Sequence, residues 1–178
     1  DTLVEQQQDL EKSKKELQKV IRDISMTMEE QFVSRLALIN NNFKQVFKEL
    51  FGGGKVLIEL ENPEEPLTSG INIKVEPPGK KLQNMMLLSG GERAFTAIAI
   101  LFSILNINPS PFCVLDEIEA ALDDVNVQRV AKYLENYSKD TQFLVITHRK
   151  GTMEVANIIY GITMEENGIS KLVSLDVR

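Results

Sequence analysis

A single cysteine stands among 178 residues, so no disulfide framework can form within the chain, which fits a reducing compartment. That residue, Cys113, lies in the apolar run Phe112-Cys113-Val114-Leu115 and is expected to be a small buried hydrophobe. No apolar run approaches the roughly eighteen residues of a membrane-spanning helix; the longest candidate is broken by Asn106 and Pro109. A signal peptide is also missing, and the expectation is a soluble, intracellular protein with no membrane partner. Basic excess is lacking too: a net charge of −6 argues against a chain that wraps nucleic acid by itself.

The chain also lacks a phosphate-cradling loop. Such a loop requires G-x-x-x-x-G-K-[ST], with backbone amides ringing the phosphates and a hydroxyl after the lysine to hold Mg²⁺. Phe51-Gly52-Gly53-Gly54-Lys55-Val56 comes nearest, yet Val56 follows the lysine and the first glycine of the frame is missing. No other G-K-S or G-K-T occurs. The glycines read instead as a turn between a helix and a strand.

Proline and glycine are absent from the first 50 residues, which read as one helix. Leu3, Leu10, Leu17 and Ile24 recur at seven-residue steps, with Ile21 and Met28 on the companion position of a coiled-coil seam. Phe32, Leu36, Ile39, Phe43, Val46 and Leu50 then continue in steps of four and three. The two successive four-residue steps from Met28 to Leu36 read as a stutter, which unwinds a coiled coil locally. A continuous helix of this length spans ~75 Å. Its seam needs a partner helix, and no second heptad segment is present. Residues 1–30 are therefore expected to pair outside the chain and 31–50 to pack on their own domain. Lys12, Lys14, Lys15, Lys19 and Arg22 are matched by Glu5, Asp9, Glu11, Glu16 and Asp23, giving a solvated surface rather than a DNA-binding stripe.

Residues 51–178 read as alternating structure. Lys55 to Leu60 and Ile71 to Val75 are strands around a proline-bearing loop. Glu92 to Leu105 is apolar nearly all round and is expected to be a helix buried on most faces. Phe112 to Leu115 and Gln142 to Ile146 read as buried strands, with an amphipathic helix from Asn126 to Tyr137 between them. Ile158 to Met164 and Ile169 to Val177 flank an Asn167-Gly168 hairpin turn. The class is α/β.

Three places can carry chemistry. Leu88-Ser89-Gly90-Gly91-Glu92 precedes a helix: Ser89 and Glu92 form an S-x-x-E capping box, and free amides at the helix start can bind phosphate. Val114-Leu115-Asp116-Glu117 delivers two carboxylates to the C-terminal end of a strand, where ligand sites in open α/β sheets lie. The first can hold Mg²⁺ and the second can orient an attacking water. His148, the sole histidine, follows the strand Phe143 to Ile146 and can donate a hydrogen bond to a phosphate oxygen. Taken singly, each has a plainer reading: a well-capped helix, a strand running into a polar loop, a structural histidine.

Their order is more specific. L-S-G-G-E, a strand ending in D-E, A-A-L-D at 120–123 and a strand ending in histidine is the order seen in ABC-type ATPases. Pro111 to Glu117, Ile146 to Glu154, Tyr160 to Met164 and Gly168 to Val173 resemble the C-terminal head lobe of bacterial SMC (structural maintenance of chromosomes) proteins. The resemblance covers residues 30–178, and the arm before it fits the root of the SMC coiled coil. Arg93 and Glu119 stand where that family often has Lys and Asp.

The resemblance implies a P-loop NTPase-like fold, the C-terminal lobe of an ABC-type ATPase head at 51–178, with a coiled-coil arm and neck helix at 1–50. It implies that Ser89, Gly90, Gly91 and Glu92 act in trans on the γ-phosphate of ATP held by an opposing head. Asp116 would serve Mg²⁺, Glu117 would be the catalytic base and His148 the switch histidine. Asp123 would lie in the loop crossing between heads. ATP and Mg²⁺ would both require an N-terminal lobe, so this lobe alone is expected to be inactive. Implied partners are that lobe, a second SMC head in a homodimer, a kleisin subunit with its winged-helix subunit, and DNA. The setting would be cytoplasmic and nucleoid-associated, the process chromosome condensation and segregation. Another coiled-coil ABC ATPase, such as a double-strand-break repair protein, is the alternative. A transporter's ATPase subunit would usually show glutamine after S-G-G and lack the arm. A non-catalytic scaffold is disfavoured by the presence of both Asp116 and Glu117.

Overall fold

The computed structural model describes residues 2–166 and 168–177; the expectations for Asn167 and for the Leu3 and Glu5 side chains lie outside the described residues. Helix α1 (Thr2–Phe51) is uninterrupted over 50 residues, as the absence of proline and glycine permits. Its two halves differ in what they touch. Leu10, Leu17, Ile21, Ile24 and Met28 are each more than half exposed, whereas Phe43, Val46, Phe47 and Leu50 are buried. The described positions of the seven-residue seam thus stand clear of the rest of this chain, and the later apolar positions enter the core.

Helix α1 ends at three glycines with φ of 73°, 146° and 89°, so the turn is built from conformations that side chains oppose. A Cβ on Gly54 would collide with the Glu76 carbonyl oxygen and lie 2.9 Å from the Phe47 ring. The chain then enters β1 (Lys55–Leu60), β2 (Ile71–Glu76) and the two-residue β3 (Gln83–Asn84). These form one antiparallel sheet, with Val56 opposite Val75 and Ile58 opposite Ile73.

Helix α2 (Gly90–Leu105) buries Phe95, Ile98, Ala99 and Phe102 against α1 and the first sheet. It is not buried on most faces: Leu101 and Ile104 are exposed, because the core lies on one side of the helix only. Strand β4 (Phe112–Asp116), helix α3 (Asp124–Tyr137) and strand β5 (Gln142–Ile146) make a βαβ unit with β4 and β5 parallel. Leu115 is buried, with Cys113, Phe143 and Val145 partly buried beside it. Phe112, Val114, Leu144 and Ile146 point the other way and are exposed. The apolar runs at 112–115 and 143–146 are therefore covered on one face, since alternate side chains leave opposite faces of a strand.

The short α4 (Lys150–Met153) leads to the antiparallel pair β6 (Ile158–Glu166) and β7 (Ile169–Asp176), with Gly168 at φ 86° in the turn. Aromatic stacking knits the core. Phe47 lies 3.9 Å from Phe51, which lies 4.4 Å from Phe95, while Tyr133 stacks between Phe102 and Tyr137. Burial pushes the Tyr133 hydroxyl well above its ordinary titration range, and the Tyr137 hydroxyl adds to this.

Candidate functional site

Strands β4 and β5 end side by side, with Asp116 opposite Ile146. One residue on, the Glu117 N–H donates to the Ile146 carbonyl at 2.9 Å. Glu117 holds φ at 45°, the only positive φ of a non-glycine residue among those described. A side chain there costs on the order of 1 kcal/mol, so the packing around the loop imposes this backbone. The turn sends the Glu117 carboxylate across to β5's end, where its Oε1 lies 3.2 Å from His148 Nδ1. Both side chains are more than half exposed, so the pair opens to solvent. His148 Nε2 has no partner among the described residues.

Behind this pair the loop is tied down. Glu119 is buried, and its Oε1 accepts from the Thr147 hydroxyl at 2.5 Å and the Thr152 hydroxyl at 2.8 Å. Arg149 donates to the Leu122 carbonyl at 2.5 Å and pairs with Asp124 at 3.3 Å. Asp123 caps α3, its Oδ1 accepting from the Asn126 N–H at 2.9 Å. That bond uses the side chain as a Ser, Thr, Asn or Asp cap does at a helix start.

The start of α2 carries the third element. Glu92 folds back so that its Oε2 accepts from the Ser89 N–H at 3.3 Å and the Ser89 hydroxyl at 2.7 Å. Lys80 reaches the same carboxylate at 2.7 and 2.9 Å. The Lys80 ammonium and then the Ser89 donors hold the Glu92 carboxyl below its usual range, against a smaller opposing effect of burial. Gly90 has open space where a Cβ would stand, and a Cβ on Gly91 would lie 3.3 Å from the Ala121 carbonyl. The helix start thus touches the 120–123 loop while Gly90 faces outward, free for an anion to approach.

Of the residues singled out in the sequence, Glu117 and His148 are brought together; Asp116 precedes Glu117 at the end of β4, and the Asp123 carboxylate is engaged with Asn126 at the start of α3. Among the described residues no hydrogen bond joins Ser89 to Glu92 with Glu117 or His148, so this loop forms a second patch whose link to the first is Gly91 against Ala121. No group of three His, Cys, Asp or Glu side chains is placed to hold a metal among the described residues. Asp116 offers one exposed carboxylate, which suits Mg²⁺, an ion bound through one or two carboxylates with substrate phosphates and water. Lys80, the burial of Glu119 and the reach of Arg149 were not read from the sequence. The signal available was a third acidic residue in Asp116-Glu117-Ile118-Glu119, more carboxylates than one solvated turn needs.

The chain matches the family described as RecF/RecN/SMC N terminal domain over residues 5–171. It is 56% identical over 176 residues to the chromosome partition protein Smc of Bacillus subtilis (strain 168), covering 99% of this chain and 15% of that protein. Against the chromosome partition protein Smc of Myxococcus xanthus (strain DK1622) the identity is 47% over 178 residues, again spanning 15% of that protein. One similar solved structure is described as structural biochemistry of ATP-driven dimerization and DNA stimulated activation of SMC ATPases. It superposes with a TM-score of 0.78 at 40% identity, covering 84% of this chain and 90% of that one. Another is the Smc head domain from Pyrococcus furiosus with an extended coiled coil, bound to the C-terminal domain of ScpA. There the TM-score is 0.80 at 40% identity, over 96% of this chain and 42% of that one.

Proposed function

The chain belongs to the RecF/RecN/SMC family and has the mixed α/β fold of an SMC ATPase head with a long N-terminal helix; from that premise we propose that it is the C-terminal lobe of such a head, which binds and hydrolyses ATP only together with an N-terminal lobe. The observation that carries this reading is the Glu117–His148 pair, held 3.2 Å apart at the ends of two parallel strands by a backbone turn that Glu117 adopts at a cost. Coverage of 42% of the Pyrococcus furiosus head-domain chain supports one lobe of two. Residues 1–50 are then arm and neck, and 51–178 the lobe.

In this reading ATP supplies the γ-phosphate and Mg²⁺ the neutralising charge, Asp116 holding the ion. Glu117 accepts a proton from the attacking water and aims it. His148, with Nδ1 on Glu117, presents Nε2 to the γ-phosphate. The N–H groups at Gly90 and Gly91, with Ser89, grip the γ-phosphate of ATP carried by a second head, and Asp123 lies in the loop that crosses to it. Engagement would then follow ATP binding and release would follow hydrolysis, moving DNA-entrapping arms in chromosome partition. The similar head structure bound to the C-terminal domain of ScpA supports a kleisin partner, accompanied by its winged-helix subunit. A cytoplasmic, nucleoid-associated location follows from that role.

The test is a head reconstituted from this chain and its N-terminal lobe. Glu117→Gln keeps shape and hydrogen bonding but removes the base, so ATP-bound dimers should accumulate. Ser89→Arg places a bulky cation where the opposing phosphate docks, so ATP should bind while dimers fail to form. Each should lose hydrolysis by ~10²–10⁴-fold. Equal dimerisation of the two variants in gel filtration with ATP would show the in-trans role to be wrong. Calorimetry on the isolated chain should register no micromolar ATP binding, since no cradle of amides and lysine is present.

A further inference from the structure

Glu119 is a carboxylate with 1% of its surface exposed, a placement that is costly unless the group is hydrogen-bonded. Only half of it is satisfied: Oε1 takes two threonine hydroxyls while the buried Oε2 has no partner. A side chain kept for stability alone would be better replaced by an apolar one of similar volume. What Glu119 achieves instead is a connection. It stands two residues after Glu117, and Thr147, which it grips, stands one residue before His148.

The connection runs further. The Thr147 hydroxyl donates its hydrogen bond to Glu119 and accepts from the Arg149 N–H at 2.9 Å, so the residue before His148 and the peptide after it are tied through one oxygen. Arg149 then carries the link to the Leu122 carbonyl and Asp124, on either side of Asp123. Thr152 anchors Glu119 to α4 as well. We propose that Glu119 is a positioning residue that locks His148 to the turn bearing Glu117 and, through Thr147 and Arg149, fixes the Asp123 loop to the same frame. A shift of His148 on meeting the γ-phosphate is then passed to the loop that faces a second head. This inference rests on the ATPase reading of the site given above.

The experiment uses the complete SMC protein, with both lobes and the arm. Glu119→Ala and Thr147→Val remove the acceptor or the hydroxyl; Glu119→Gln and Thr147→Ser retain them. The first two should lower kcat by about 10- to 100-fold with KM within about twofold, since misplacement of a positioned group is felt in the reacting complex. The conservative pair should recover kcat to within about threefold of the parent. In a Glu117→Gln background, adding Thr147→Val should also reduce the ATP-dependent dimers. If Glu119→Ala does not fold, as thermal unfolding would reveal, the Thr147 pair alone decides. Unchanged kcat in Thr147→Val, or equal losses in Thr147→Val and Thr147→Ser, overturns the proposal. Undiminished hydrolysis in the single Glu117→Gln variant overturns instead the catalytic reading beneath it.

Discussion

The Asn40 carboxamide meets the Ile58 peptide with both of its ends. Its Oδ1 accepts from the Ile58 N–H at 3.1 Å, and its Nδ2 donates to the Ile58 carbonyl at 3.3 Å. Strand β1 is the edge of its sheet, so these groups face away from β2, and a helix side chain stands in for a neighbouring strand. The helix that carries the exposed seam is in this way bonded to the lobe as well as packed on it.

Asn40→Ala should therefore destabilise the lobe by about 2–4 kcal/mol, because two part-buried backbone groups lose partners. Asn40→Asp should be no better, since it sets a carboxylate oxygen against the Ile58 carbonyl. Chemical denaturation measures the loss, and faster amide exchange at Ile58 would locate it. An Asn40→Ala protein as stable as the parent would contradict the finding.

Gly54→Ala should cost at least about 2 kcal/mol, combining a positive φ with contact to Glu76 and the Phe47 ring. Gly52→Ala is the control: its φ of 73° is strained too, but nothing lies within 4 Å of the added carbon. The milder loss is expected there, and a denaturant series compares the two.

Glu92 makes stability depend on pH in a known direction. Its carboxyl titrates below the ordinary value of 4.5 in the folded chain, so its contribution is complete above that value and disappears as pH falls through the lowered one. Glu92→Gln can keep the bond back to Ser89, as either residue does in a capping box, but loses the attraction to Lys80 and cannot titrate. The Tm gap between parent and variant should be widest above about pH 5 and close on acidification. A gap that widens in acid would refute the assignment.

The exposed seam of α1 should drive association of the isolated chain. Leu10, Leu17 and Ile24 lie a heptad apart and unprotected, a pattern stabilised by a second helix. Light scattering should show mass rising with concentration, and Leu17→Asp with Ile24→Asp should abolish the rise. A chain that stays monomeric while amides 10–28 are fully protected from exchange would count against it.

Much of this was legible because period and burial coincide. Phe43, Val46 and Leu50 follow the helical rhythm and are buried, and the glycines after Phe51 take the positive φ values for which glycine is suited. S-x-x-E gave the start of α2 through local hydrogen bonds alone. The features that escaped depend on distance along the chain. Lys80 reaches Glu92 across twelve residues, and Glu119 meets Thr147 across twenty-eight; neither leaves a periodic trace. Glu117's backbone was hidden because its residue type argues against it. The exposed faces of β4 and β5 were missed because a continuous apolar run cannot say how many of its faces this chain covers.

Helix α1 is a lever with its fulcrum at one end. Phe43, Phe47 and Phe51 are clamped in the core, and no proline or glycine interrupts the 50 residues, so the usual causes of a kink are absent. Leu36 and Ile39 also pack on the core, so at 1.5 Å per residue the free part reaches ~50 Å beyond Leu36, and each degree of tilt there moves its far end by about 1 Å. Displacements too small to disturb the packing of an aromatic ring at the base become, at the tip, the width of an atom or more.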